Sequence, residues 1–397
     1  MGKKSAHTIE DLKFVSTADV YKGGALAGRL WRDEKGAVAY KYMDEYDGPD
    51  VAETLPRGVG TTAVEGGGVP AFFAGLLPEG HRLTVLRKAA KVSADDELTL
   101  LLAIGNDVPG DVQITPEGVV PKAPTALAMG NIGEMDFRKL TDSVDGVGIA
   151  GVQDKASAAM VNAPVNVDGC HAILKIDPPE HENLVVNEAL HLTHARKLGV
   201  PVADAAVVRD RNGLKGLLVE RFDRLPDGTR LAMEDAAQLM GILPAKKYQV
   251  SSEELVRAVK DVVDAPMLAA RNLYLQFLFA WLTGNGDLHA KNVSVLQDVT
   301  GRWAVAPMYD LPCTLVYRDM TMALPIAGKS KNLRAAHWKE FAGAIGLPEA
   351  AARSVVRRVF AVAQGVDLSS LPFDGSPLYG AERELRFRRA EAEKLLG

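Results

Sequence analysis

Apolar residues in PMLAARNLYLQFLFAWLT, residues 266–283, recur at the three- and four-residue spacing of a helix. The run ends at Gly284, and the polar stretch NGDLHAKN follows before a short β-type run, VSVL. Helical spacing also marks residues 232–241, 251–262, 334–345, 348–364 and 379–395. Between residues 144 and 222 the period changes to that of strands, in ASAAMVN, HAILKI, AAVVRD and GLLVERF. One helical pattern interrupts them, NLVVNEALHLTHARKLGV. The first 125 residues read as a small α+β module: a hairpin around DEKG, a helical stretch opening at AFFAGLL, and a helix that starts after Ser93 and ends near Gly105. TPEGVVPKAPTA is Pro-rich and reads as a connector. The order predicts an α+β chain in three parts, 1–125, 126–222 and 223–397, with strands gathered before helices.

Composition narrows the function classes. The chain has 397 residues, 47% of them hydrophobic, and a net charge of −5 with a pI near 6.0. That balance excludes a general nucleic-acid coat and a polybasic membrane binder. Cys170 and Cys313 are too far apart in sequence for a zinc spacing and too few for a disulfide framework. The N-terminus has no apolar run for a secretory signal, and Ala6 breaks the myristoylation pattern. Arg271, Asn272 and Gln276 interrupt the most apolar helix, so no membrane span is expected and a cytoplasmic protein is. His191 and His194, three apart on a helix, have no carboxylate partner and read as packing.

The polar joint after residue 283 carries the chemistry. Asp287 and Asn292 are five residues apart, and Asp310 follows eighteen residues later in APMYDLPC. Phosphoryl transfer between oxygens needs positioning and charge neutralisation, which a base beside two magnesium ligands of carboxylate and amide type provides. VSVL and RWAVAPMYD predict a hairpin joining the two pieces. On Asp287 and Asn292 alone a turn is an equal reading, since turns favour Asn, Gly and Asp. The β-rich half offers DGVGIAGVQDKASAAMV as a phosphate-cradling loop, although a glycine-rich hairpin turn reads more readily from that stretch alone. It also offers Lys175 in an apolar strand, against the reading of an edge-strand lysine in water. Glu188 is a candidate partner for Lys175, with a solvated helix face slightly preferred for it. LLVERFDR offers a hinge in which Phe222 flanks a flat ring and backbone atoms near Glu220 meet its edge.

Taken together, AFFAGLLPEG, LLLAIGNDVPGDV, IAGVQDK, HAILKIDP, VVNEALHLTHARKLGVPVADAAVV, LLVERFDR, GNGDLHAKN and PMYDL make the chain resemble the HipA-type serine/threonine kinases, toxins of bacterial toxin–antitoxin pairs. The likeness covers nearly the whole chain. It implies a bilobal protein-kinase-like fold, with an extra α+β subdomain at 1–125, a nucleotide-binding lobe at 126–222 and an all-helical lobe at 223–397. It implies ATP and Mg2+ as cofactors, with Asp287 as catalytic base and Asn292 and Asp310 as magnesium ligands. Ala150, Gly151, Val152, Gln153, Asp154 and Lys155 would cradle phosphate, and Lys175 would meet the nucleotide. Glu220, Arg221 and Phe222 would form the hinge, with His289, Lys291 and Tyr309 beside the nucleotide. The implied partners are a small helix-turn-helix antitoxin of HipB type, operator DNA bound through that complex, and a protein substrate such as an aminoacyl-tRNA synthetase. One position departs: Gly148 stands where the best-known members carry an autophosphorylated loop serine, and the nearby Ser143 and Ser157 do not fill it. A small-molecule phosphotransferase and a catalytically silent corepressor remain alternatives at this point.

Overall fold

The computed structural model describes residues 8–122, 131–141, 160–167, 169–178 and 181–396. The first module is an antiparallel sheet of β1 (Thr17–Lys22), β2 (Ala25–Arg32), β3 (Val38–Tyr42), β4 (Thr62–Val64) and β5 (Val112–Pro116), in the order β4-β3-β2-β1-β5. The β2–β3 hairpin turns at the expected DEKG, where Gly36 takes a φ of 83°. Three helices cover the sheet: α1 (Ala71–Gly75), α2 (Gly80–Ala90) and α3 (Glu97–Ile104). Asp96 caps α3 by accepting from Thr99 N, which sets the helix start at Glu97, four residues past Ser93. Gly105 ends α3 against β5, where a Cβ would lie 2.1 Å from Ile114 O.

The second part holds α4 (Phe137–Thr141), β6 (Val161–Val167), β7 (Cys170–Ile176), α5 (Leu184–Ala195), β8 (Ala205–Arg209) and β9 (Lys215–Glu220). Its sheet runs β6-β7-β9-β8, and α5 packs across β8 and β9. Of the expected strand ASAAMVN only the last residues fall in β6; 156–159 lie outside the described residues.

The third part holds β10 (Met233–Asp235), α6 (Ala236–Leu239), α7 (Ser252–Val262), α8 (Pro266–Thr283), β11 (Ser294–Gln297), β12 (Trp303–Val305), α9 (Ala335–Ala344), α10 (Glu349–Gln364) and α11 (Gly375–Glu393). Every residue of α8 from Leu273 to Thr283 is buried, so the helix runs through the core. Two expectations need correction. The helix placed at 232–241 begins as β10, because Met233–Asp235 pair with β11 and side-by-side pairing outweighs local helical spacing. The helical lobe therefore carries a small sheet, β10-β11-β12. The terminal helix expected over 379–395 starts at Gly375 and buries one side. Its Arg388 is buried and donates to Trp281 O and Met320 O, each at 2.9 Å, which ties α11 to the end of α8.

ERFDR forms an ionic joint between the first module and the rest. Arg221 donates to Asp107 and Asp223, both at 2.9 Å, and Arg224 donates to the same two carboxylates, both at 2.8 Å. Asp223 also accepts from Gly110 N at 2.9 Å. Burial opposes ionisation of Asp223, but Arg221 and Arg224 outweigh it and hold the carboxyl far below its ordinary range.

His191, fully buried on α5, bonds Asn187 O through Nδ1 at 2.8 Å. Burial, opposed by that bond, pushes its pKa down to about 4. The unfolded chain then takes up a proton near pH 6.5 that the folded chain refuses, so stability is lost as pH falls from there towards 4. We expect about 2 kcal/mol of this loss between pH 7 and pH 5. Urea midpoints at the two pH values measure it, and the gap should shrink in His191→Gln.

Candidate active site

The site forms where the end of α8, the β11–β12 hairpin and β7 converge. Gly284 ends α8 in the left-handed region, with a φ of 80°. The next residue, Asn285, accepts from Asp287 N at 2.8 Å and donates to Asp310 O at 3.2 Å, bridging the two arms of the site. A Cβ on Gly286 would lie 2.4 Å from Thr321 O and 2.6 Å from Thr314 Oγ1, so only glycine passes there. Asn292 donates from Nδ2 to Asp287 O at 2.9 Å, which leaves its Oδ1 as the side-chain atom that could meet a cation. Asp310 has a φ of 59°, in a region that a non-glycine residue seldom visits.

β7 brings Lys175 to this loop. Its ammonium donates to both oxygens of Glu188 at 2.8 and 3.0 Å and to Asp310 Oδ1 at 2.9 Å. Burial works against the charged lysine, but Asp310 and Glu188 outweigh it and hold the pKa above its ordinary value. The solvated face preferred for Glu188 is not found: its side chain is 0% exposed. The strand packs against α5, and a buried carboxylate persists only with a partner. Asn187, one residue earlier, exchanges two 2.9 Å hydrogen bonds with the Cys313 backbone, fixing α5 to the segment that follows Asp310.

Lys175, Asn292 and Asp310 line one cleft with the apolar walls Ile173, Val219, Phe222, Met233 and Tyr309. Tyr309 donates to Lys291 O at 2.8 Å, and its ring lies 5.7 Å from that of Phe222. The remaining expected contacts are placed differently. Lys291 borders the cleft, yet its Nζ donates to Gly75 O at 2.7 Å in the first module. Arg221 also borders it, with its guanidinium committed to the ionic joint. Glu220 N and Arg221 N bond Asp204 O and His171 O, so these two donors are used within the fold, while Phe222 lines the cleft. His289 is buried and accepts from Lys291 N at 3.2 Å. Residues Ala150 to Lys155, with Gly148, Ser143 and Ser157, lie outside the described residues.

Sequence reasoning missed three contributors. Gly75 and Leu76, from the first module, close one wall of the cleft. Tyr248 donates from its hydroxyl to Asp287 Oδ1 at 2.9 Å. AFFAGLLPEG contains Gly75 and Leu76, but nothing local assigns them or Tyr248 to the site, since each reaches it only through tertiary packing.

Among the described residues no cluster of three or more His, Cys, Asp or Glu could hold a metal. Two protein oxygen donors, Asn292 Oδ1 and the Asp310 carboxylate, suit Mg2+ when phosphate oxygens complete its shell. The residues present fit that ion and a flat, phosphate-bearing ligand.

A family model described as the HipA-like C-terminal domain matches residues 147–366, and one for the HipA N-terminal domain matches residues 18–115. The chain belongs to the HipA family. It is 29% identical over 371 residues to a putative kinase, Y4mE, of Sinorhizobium fredii, covering 84% of this chain and 87% of that one. It is 28% identical over 373 residues to the serine/threonine-protein kinase toxin HipA of Shewanella oneidensis, covering 84% of each. The Shewanella oneidensis HipA solved with HipB and operator DNA superposes with a TM-score of 0.73 at 23% identity, over 95% of this chain and 97% of that one. The fold is thus the α+β, two-lobed kinase-like fold of HipA, with the helical lobe carrying its small sheet. No helix among the described residues is long and apolar enough to cross a membrane.

Proposed function

We propose that this HipA-family chain is an ATP- and Mg2+-dependent serine/threonine protein kinase, the toxin of a toxin–antitoxin pair. The observation that carries the reading is the meeting of Lys175, Glu188 and Asp310 in one ion-paired group beside Asn292 and Asp287. When bound, ATP and Mg2+ supply the phosphoryl group and the charge neutralisation. Asn292 Oδ1 and Asp310 hold the metal. Lys175, kept charged and aimed by Glu188, orients phosphate. Phe222 and Tyr309 flank the base. Asp287 takes the proton of a substrate hydroxyl. A HipB-like antitoxin sequesters the toxin in the cytoplasm, and the pair binds operator DNA and represses its operon. The substrate class is a translation component such as an aminoacyl-tRNA synthetase.

The test is transfer from γ-labelled ATP into a cell lysate, with Mg2+ and with a chelator. Label in a protein band that vanishes on chelation is the expected result. Label confined to small molecules moves the activity to a small-molecule phosphotransferase. ATP binding without any transfer points to a corepressor.

A further inference from the structure

The first module meets the catalytic loop through buried charge. Glu79, at the start of α2, pairs with Lys247, whose side chain is 1% exposed. Lys247 O in turn accepts from Ala290 N, at 3.3 Å, inside the loop. On the other side Lys291 Nζ bonds Gly75 O at 2.7 Å and lies 3.6 Å from Glu79. Next to Lys247, Tyr248 packs edge-on against the His289 ring, centroids 5.0 Å apart, and donates to Asp287 Oδ1. One carboxylate from the first module therefore pairs with Lys291 in the loop and with Lys247 packed beside it, and the tyrosine next to Lys247 holds an oxygen of Asp287.

We propose that Glu79 and Tyr248 are positioning residues: Glu79, through Lys247, fixes the segment that lets Tyr248 orient the Asp287 carboxylate. The inference rests on Asp287 being the base. A hydrogen bond to Oδ1 restrains rotation of the carboxylate and so fixes the direction in which it meets an incoming hydroxyl. The first module is on this account a built-in support of the catalytic loop. Burial and the charge of Asp287 hold the Tyr248 phenol well above its ordinary pKa, so it remains a donor.

The test compares the full chain with Tyr248→Phe, Glu79→Gln and the double variant. Tyr248→Phe keeps the ring and removes the donor. We expect kcat for phosphate transfer to fall about 10- to 100-fold with KM for ATP unchanged. The double variant should lose no more than the worse single one, because both act through one contact. Amide hydrogen exchange across residues 285–292 should quicken in each variant. Wild-type exchange in Tyr248→Phe, a loss carried wholly in KM for ATP, or losses that multiply would each overturn the proposal. If Glu79→Gln does not fold, Tyr248→Phe decides. If the wild type transfers no phosphate, the kinase reading falls, and hydrogen exchange still decides the positioning.

Discussion

Asp287→Asn should cut phosphate transfer about 10²- to 10⁴-fold and leave the protein folded and able to bind ATP. The substitution changes no volume. The amide oxygen can still accept from the Tyr248 hydroxyl, and the backbone bonds of residue 287 to Asn285, His289 and Asn292 do not involve the carboxylate. What disappears is the proton acceptor. Labelled transfer into the substrate band measures the loss, and a thermal midpoint with an ATP titration shows that the cleft is intact. Full activity in the variant would remove Asp287 from the chemistry. Lost transfer together with lost ATP affinity would move its role to nucleotide binding.

Lys175→Met should have the largest combined effect. The ammonium is the shared partner of Glu188 and Asp310, and Glu188 has no exposure to water. Without it two carboxylates are left close together with no shared cation, one of them fully buried. Breaking a buried pair from one side costs about 3–5 kcal/mol. On the proposed kinase reading ATP affinity should fall with it, since the ammonium assigned to orient phosphate is gone. Urea denaturation and ATP titration read the two losses separately. Adding Glu188→Gln removes the stranded charge, so stability should recover while ATP affinity does not. A Lys175→Met protein as stable as wild type would mean the pair is not ionised.

Much of this geometry was legible because it is local or depends on short spacings. The end of α8, the polar loop and the β11–β12 hairpin to Asp310 follow one another within the chain, and turn chemistry and periodicity reveal them. Lys175 was visible as a cation in an apolar strand. Glu188 was ambiguous, because its exposure depends on which face of α5 meets the sheet. Lys291 and Arg221 carry motifs whose neighbours are informative, yet their side chains turn to Gly75 and Asp107, more than 100 residues away in sequence. Pairings at that range leave no periodic trace. β10 was hidden for the same reason, since its partner β11 lies beyond three helices.

The ionic joint has a consequence for heredity. Asp107 lies in one domain of the chain, while Arg221, Asp223 and Arg224 lie in the other. A recombination that grafts the first module of a relative onto this kinase core must bring a carboxylate to that one position. Otherwise two buried guanidinium groups lose half of their counter-charge. The joint therefore filters which module exchanges yield a folded chimera, and it couples the ancestry of two segments that look separable in a linear map.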